Sequence, residues 1–438
     1  MSLDQFKELI SNVKFAGPQM YGLMEKLYPI CRSITGNGVR QTLNEIKKYV
    51  DLQIHEIPTN TNVFDWTIPK EWNISDAYIA DSGGTKVVDF KKSNLHVISY
   101  STPIRKKMSL AELKEHIHTI PDLPDAVPYL TSYYKEDWGF CMRHNDFLNL
   151  KDDEYDVVID STLKNGSLTY GELFIPGSVS DEILVSCYVC HPSMCNDNLS
   201  GVVLTTMLAK ELGKIQTTHS IRFLFIPETI GAIAWLATNE KSLSKIKHGL
   251  VATCLGDPGI STYKRTKHGN AEIDRVVEFI LKNSKNAYQI LDFFPTGSDE
   301  RQFCSPGIDL NVGSLMRTPY GRFSEYHTSA DDLQFVQPQF LEDSYSKYLQ
   351  TIFILENNKK YLNLNPKCEP QLGKRGLYRQ IGGQKITKDY ELAMFWMLSL
   401  SDGSHDLLDI AVKSGLDFGI LLEAAQKLEK NNLLKITS

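Results

Sequence analysis

The chain has 438 residues and is 42% hydrophobic and 23% charged, the balance of a soluble globular protein with a sizeable core, and long enough for two or three domains. A net charge of −6 and a pI near 6.0 argue against a nucleic-acid partner. The most apolar run, Ile221 to Ala237, is broken by Arg222 and Glu228, which excludes a membrane span there; eight cysteines behind a start without export character point to a reducing cytoplasm.

Residues 3–55 are expected to be mainly helical. Tyr21, Leu23, Met24, Leu27 and Tyr28 recur at helical intervals, as do Leu43, Ile46 and Val50. Thr35-Gly36-Asn37-Gly38 reads as the turn between two helices. From residue 60 to 146 the texture shifts to Trp, Tyr, Pro and short β-like runs such as Val63-Phe64-Asp65-Trp66 and Asp76-Ala77-Tyr78-Ile79. Asp81-Ser82-Gly83-Gly84 is a turn there, and Leu110 to His116 a short helix. The stretch predicts an inserted β-rich subdomain. Its aromatics, Trp66, Trp72, Tyr133, Tyr134 and Trp138, are either the core of a small β-domain, which is favoured, or a carbohydrate- or peptide-binding surface.

Lys164-Asn165-Gly166 predicts a hairpin joining Val157-Val158-Ile159 to the strand Gly171 to Ile175. Glu182 to Val189 and Ile221 to Ile226 read as buried strands, with a helix from Asn198-Leu199-Ser200 to Leu212 between them. Helix-strand alternation continues to about Asn357. The fold class implied is α/β, a parallel or mixed sheet flanked by helices. After Pro366, three helices are predicted: Tyr390 to Leu400, His405 to Ser414 and Phe418 to Asn431. Asp402 or Ser404, and then Asp417, stand where N-caps belong. Closing on Leu433 to Ile436, they predict a winged helix-turn-helix. From Gln380 to Ser438 there are six lysines, no arginine and eight acidic residues. A phosphate-seeking surface is basic, so the expected role is protein–protein contact, such as a homo-oligomer, or packing within the chain, rather than nucleic-acid binding.

Imidazoles and hard oxygens offered from several strand ends are what a catalytic Zn²⁺ needs. His191 ends one buried strand, Glu228 follows the next, Asp257 follows Gly249 to Thr253, and His327 lies in a polar loop. In open α/β sheets, ligand-binding groups collect at the carboxyl ends of strands. A lone histidine there is more often structural; the constellation favours a metal site. Cys187-Tyr188-Val189-Cys190-His191 matches a haem-attachment string, but it lies in a strand, where residues three apart face opposite ways. A structural zinc on Cys187, Cys190, His191 and Cys195 would sit on turns rather than mid-strand. Buried free thiols are the default for Cys187 and Cys254.

Asp197-Asn198-Leu199-Ser200-Gly201 resembles the Asp-Asn-x-Ser-Gly motif of the co-catalytic zinc aminopeptidases, the bacterial leucyl aminopeptidase and glutamate carboxypeptidase group. Pro227-Glu228-Thr229-Ile230-Gly231 resembles that family's Gly-Glu-Glu-x-Gly, Ser298-Asp299-Glu300 its Ser-Asp-His, and Tyr326-His327-Thr328-Ser329-Ala330-Asp331 its Tyr-His-Thr-x-x-Asp. More closely, the chain resembles a bacterial group of aminopeptidase-like proteins with an inserted subdomain and a C-terminal winged helix. The resemblance implies a discontinuous aminopeptidase-like catalytic domain over 1–59 and 147–362, an insert over 60–146, and a winged helix over 363–438. It implies one or two Zn²⁺ held by His191, Asp197, Asp257 and His327, with Asp197 able to bridge. Glu228 takes the general-base position toward a metal-activated water. Three departures stand out. The family's second Glu is Thr229, its His-x-Asp is His191-Pro192-Ser193, and its Ser-Asp-His ends in Glu300. A single zinc or a repurposed site is therefore a live expectation.

Asp299, Glu300, Arg301, Arg317 and Tyr326 are the substrate-binding candidates. An arginine could hold a carboxylate bidentately, and Tyr326 could wall the pocket. The expected function is zinc-dependent cleavage of an amide or peptide bond in a peptide or small amide. The alternatives are a repurposed amidase, acyl-transfer or cyclase enzyme of cell-surface carbohydrate biosynthesis, or a non-catalytic regulator working through the winged helix.

Overall fold

The computed structural model describes residues 1–377 and 388–437, in two compact units. The larger unit, residues 12–274 and 285–346, is built on an eight-stranded sheet. Its strands are β1 (Gln53–Pro58), β2 (Ser167–Ile175), β3 (Glu182–Tyr188), β4 (Ser220–Ile226), β5 (Ile246–Ala252), β6 (Ser261–Lys264), β7 (Tyr288–Leu291) and β8 (Val312–Met316). They lie in the order β1-β2-β4-β3-β5-β8-β6-β7. The central run β4, β3, β5 and β8 is parallel, and β1, β2 and β6 join antiparallel. All seven residues of β3 are buried, as expected of a parallel strand covered on both faces. Arg222, the charge inside the apolar run, lies on β4 and donates to the Glu182 carboxylate at 2.7 and 3.0 Å and also to Glu172. Pairing is what allows such a charge to be held away from water.

The insert's strands form a four-stranded antiparallel sheet with Glu154–Lys164, which lies beyond the expected boundary at 146, in the order Lys86–Asp89, Glu71–Ala80, Glu154–Lys164, Ile104–Ser109. The Asp81 to Gly84 turn joins the first two, with Gly84 at φ +82°. The short helix Leu110–Lys114 starts at a Ser109/Glu112 capping box. Two expectations fail here. The strands either side of Lys164-Asn165-Gly166 form no hairpin, because Glu154–Lys164 belongs to the insert sheet and β2 to the central sheet. Gly166 instead bonds Thr59, which draws the chain onto β1. Residues 3–55 are also not helical throughout: the helices are Leu3–Leu27 and Asn37–Lys47, and β1 begins at Gln53.

The aromatics divide between packed and exposed positions. Trp72 is buried, donates from Nε1 to the Ser101 carbonyl at 2.9 Å and stacks on Tyr100. Tyr133 packs edge-on against Tyr100, and Trp138 stacks on His116. Trp66 and Tyr134 are exposed.

The smaller unit, residues 1–11, 275–284 and 347–438, contains the winged helix. Helices Lys388–Leu400, Leu407–Ser414 and Phe418–Lys430 accompany a three-stranded antiparallel sheet with Lys360–Asn363 between Asp402–Asp406 and Leu434–Ile436. The wing sheet thus starts before residue 363. Asp417 caps its helix as expected. The preceding helix is capped by Asp406, not Asp402 or Ser404: the Asp402 carboxylate instead accepts from Ser404 and His405 in a turn, and 402–406 is strand. Arg275 grips Asp406 with two nitrogens, each at 2.9 Å. Residues 378–387 and 438, which fall in or just before the counted C-terminal span, lie outside the described residues. Among the described residues no helix is long and apolar enough to cross a membrane.

Candidate metal centre

The parallel run β4-β3-β5-β8 delivers four loops to one edge of the sheet, as open α/β sheets do. His191 lies beyond β3, Glu228 beyond β4, Asp257 beyond β5 and Arg317 at the end of β8. The Asp197 motif follows β3 and starts the helix Ser200–Leu212. Each residue of the motif has a separate task. Asn198 Nδ2 donates to the Ala252 carbonyl at 3.0 Å, and its Oδ1 accepts from Gly201 N–H. Ser200 donates to the Asn196 carbonyl and accepts from Leu255 N–H. A Cβ on Gly201 would lie 2.1 Å from the Ala252 carbonyl oxygen, so only glycine lets the helix approach β5 this closely. Asp197 is left free to face the centre.

His191, Asp197 and His327 come together, each offering a ligand atom within 4.8 Å of the others. His327 Nε2 is 3.0 Å and His191 Nε2 4.0 Å from Asp197 Oδ2. Asp197 Oδ2 and His327 Nε2 are both buried and, beyond facing each other at 3.0 Å, have no hydrogen-bond partner. Buried polar atoms are almost always satisfied, so this pair is what a cation would complete. Burial lowers the His191 pKa to about 4, leaving a neutral imidazole fit to be a ligand. Burial opposes ionisation of Asp197 too, but His191, His327 and the Tyr188 hydroxyl outweigh it and hold its carboxyl at about 2. Tyr188 donates to Asp197 Oδ1 and shares a 2.7 Å hydrogen bond with Thr253.

Asp257 does not join these ligands. Its carboxylate accepts from Asn196 Nδ2, Gly259 N–H, and the Thr318 hydroxyl and N–H. Both oxygens are committed to holding loops together. Arg317 is likewise committed: it donates to the carbonyls of Asp257 and Gly259, each at 2.6 Å, and pairs with Asp343. Glu300 is fully buried on Lys264 at 2.6 Å and on Tyr320. Asp257 and Arg317 thus tie loops together, whereas Glu300 Oε1 meets Lys264 and Tyr320 and its Oε2 has no hydrogen-bond partner.

Glu228 does reach the centre, with Oε2 3.7 Å from His191 Nε2. Burial, with the charges of Asp299 and Asp197, pushes its carboxyl well above the usual range. Thr229, in the position of the family's second Glu, is held at φ +63°, a costly conformation for a β-branched residue. Its N–H donates to Asp299 at 2.7 Å, and its hydroxyl accepts from Arg301 Nη2 at 3.0 Å. Burial lifts Asp299 to about 7. Tyr326 stacks on His327 at 3.9 Å.

Three contributors escaped the sequence reading. Cys190 Sγ lies 3.4 Å from His191 Nδ1 and accepts from Glu228 N–H. The sequence offers Cys190 only within the haem-like string and as a structural-zinc candidate, not as a neighbour of the His191 ring. Among the described residues no second metal-ligating cluster gathers Cys187, Cys190 and Cys195, and all eight cysteines are free. Arg32, from the N-terminal segment, is buried and donates to the His191 carbonyl at 3.0 Å. Tyr129, from the insert, packs on both His191 and His327 at 5.3 and 5.2 Å. Its N–H donates to the His327 carbonyl, while Val127 and Ser329 bond each other twice. The insert is therefore a wall of the centre.

Residues 21–358 match the family model for a domain of unknown function (DUF4910), and residues 359–436 match a winged helix-turn-helix. A Clostridium acetobutylicum relative, named for polysaccharide biosynthesis and an aminopeptidase-like domain, is 58% identical across 99% of this chain and 100% of its own length. A crystal structure of a C. acetobutylicum protein named as a peptidase superposes with a TM-score of 0.95 at 57% identity, covering 100% of both chains. The zinc aminopeptidase of Bacillus subtilis superposes with a TM-score of 0.57 at 13% identity, over 77% of this chain and 94% of that one. The chain belongs to the DUF4910 family, an aminopeptidase-like domain with the fold of the zinc aminopeptidases followed by a winged helix.

Proposed function

We propose that the protein is a zinc-dependent hydrolase of amide or peptide bonds, working with one metal ion held by His191, Asp197 and His327. The observation that carries this reading is the buried, unpartnered pair Asp197 Oδ2 and His327 Nε2, 3.0 Å apart. A zinc ion bound there would polarise a carbonyl and lower the pKa of a water to about 7. Glu228 is the group that would take a proton from the attacking water and return it to the leaving amine. One ion rather than two is supported by three residues. Thr229 offers a poor ligand, Asp257 has no free oxygen, and the Arg301 cation sits against the Thr229 hydroxyl. Arg301 keeps an unpartnered Nε and is the candidate contact for an anionic group on the substrate.

A second reading keeps the chemistry and changes the substrate to an amide on a cell-surface carbohydrate precursor. The name of the 58%-identical relative favours it. The winged helix then serves protein contact, in keeping with its lack of net positive charge.

The test is a panel of aminoacyl amides and N-acyl amino sugars, run on zinc-loaded protein. Turnover of at least one member, lost on chelation and regained with zinc, is expected. Stoichiometric zinc without turnover of any member would reject the hydrolase reading. Tyr188→Phe should keep the fold but lose about 10–100-fold in zinc affinity, because Asp197 loses the hydroxyl that orients it. Competition with a zinc chelator reads this, and unchanged affinity would count against the ligand role of Asp197.

A further inference from the structure

We propose that the groove beside the hairpin Asn62–Val63/Trp66–Thr67 is a sugar-binding subsite. The hairpin packs on the helix Ile230–Asn239. Between them lies a cavity of about 360 Å³, large enough for a small ligand. Phe64, Trp66 and Ile233 form its apolar wall, and Asp65, Glu240 and Gln302 stand on its rim. Phe64 is 52% and Trp66 38% exposed, and Tyr134, 54% exposed, meets Trp66 edge-on at 5.5 Å. Three large aromatics are thus left in water on one surface. Phe64 is held at φ +54° and Tyr134 at φ +63°, conformations unfavourable for bulky residues. Core packing accounts for Trp72, Tyr133 and Trp138 but for none of these three.

The rim decides the ligand class. The side chains of Asp65, Glu240 and Gln302 make no hydrogen bond or ion pair among the described residues. A pyranose has a flat C–H face that lies against an aromatic ring and a belt of hydroxyls at its edge. Two carboxylates accept from such hydroxyls, and an amide both donates and accepts. An apolar peptide side chain would cover the ring but use none of these three polar groups.

Ile233 sits one helical turn beyond Thr229, and Gln302 follows Arg301. The groove is thus lined by sequence neighbours of the Thr229–Arg301 contact, and a sugar held there would belong to a substrate of the metal centre. This link rests on the proposed function, whereas the sugar subsite itself does not.

The test is binding of the full-length chain to an immobilised glycan array, with and without zinc, for wild type, Trp66→Ala and Glu240→Gln. Wild type should bind a defined set of glycans saturably in both metal states. Trp66→Ala should bind at least about tenfold more weakly, and Glu240→Gln more weakly than wild type, with melting temperatures unchanged because both side chains are at the surface. Binding to no glycan overturns the proposal. So does equal binding by well-folded Trp66→Ala, or by Glu240→Gln should Trp66→Ala fail to fold. Trp66-dependent binding of leucinamide, with no glycan bound, would overturn it in favour of a peptide subsite. Glycan binding that persists in a protein without turnover would separate failure of the catalytic reading from failure of this one.

Discussion

Replacing Glu228 with glutamine is expected to reduce turnover by about 10²–10⁴-fold, the usual contribution of a positioned general base, while zinc stays bound. The substitution keeps size and shape and removes only the capacity to take a proton. Glu228 is not among the three clustered ligands, and its N–H bond to Cys190 is a backbone contact the change does not touch. Metal content should therefore be preserved, separating loss of chemistry from loss of the site. The measurement is kcat on the best amide of the panel, alongside zinc per chain. Full activity would remove Glu228 from the mechanism. Loss of zinc would make it a ligand instead.

Gly201→Ala should cost about 3 kcal/mol of stability, the scale of overpacking a tight interior, and empty the metal centre. The new methyl would lie 2.1 Å from the Ala252 carbonyl oxygen and 2.5 Å from Asn198 Oδ1. Neither is the loose end of a flexible chain: one is backbone and the other is fixed by Gly201 N–H. Relief requires the helix Ser200–Leu212 to move from β5, which breaks the Asn198 bonds and displaces Asp197. Gly22→Ala is the control. It lies inside the helix Leu3–Leu27, a Cβ there meets nothing within 4 Å, and a gain of about 0.5–1 kcal/mol is expected. Thermal melts with and without zinc read both variants. An unchanged melt for Gly201→Ala would mean the helix has slack that the structure denies.

The parts of this protein legible in sequence are those whose physics is local. The β3 and β4 runs are apolar because they are covered on both faces. The Asp197-to-Gly201 motif compresses a candidate ligand, a tether and a close approach into five residues. What stayed hidden depends on partners far along the chain. Asp257 has the right residue type at the right strand end, yet its oxygens are taken by Thr318, sixty-one residues on, and by Asn196. Nothing near Tyr129 announces that it packs against two histidines. The Lys164 to Gly166 turn signal was sound for a turn, but pairing of its flanking strands is set by the insert sheet on one side and β1 on the other. β1 itself is largely exposed and lacks the alternation that marks a strand. Thr229 read as a weak ligand; the structure adds that Asp299 and Arg301 hold it in place.

The proposed centre holds one ion. Elemental analysis of protein purified without added metal, for wild type and His327→Ala, tests it most directly. About one zinc per chain in the wild type, lost in His327→Ala, is the predicted result. Two zincs per chain would contradict the single-ion centre, and no zinc under any loading condition would contradict the metal centre itself.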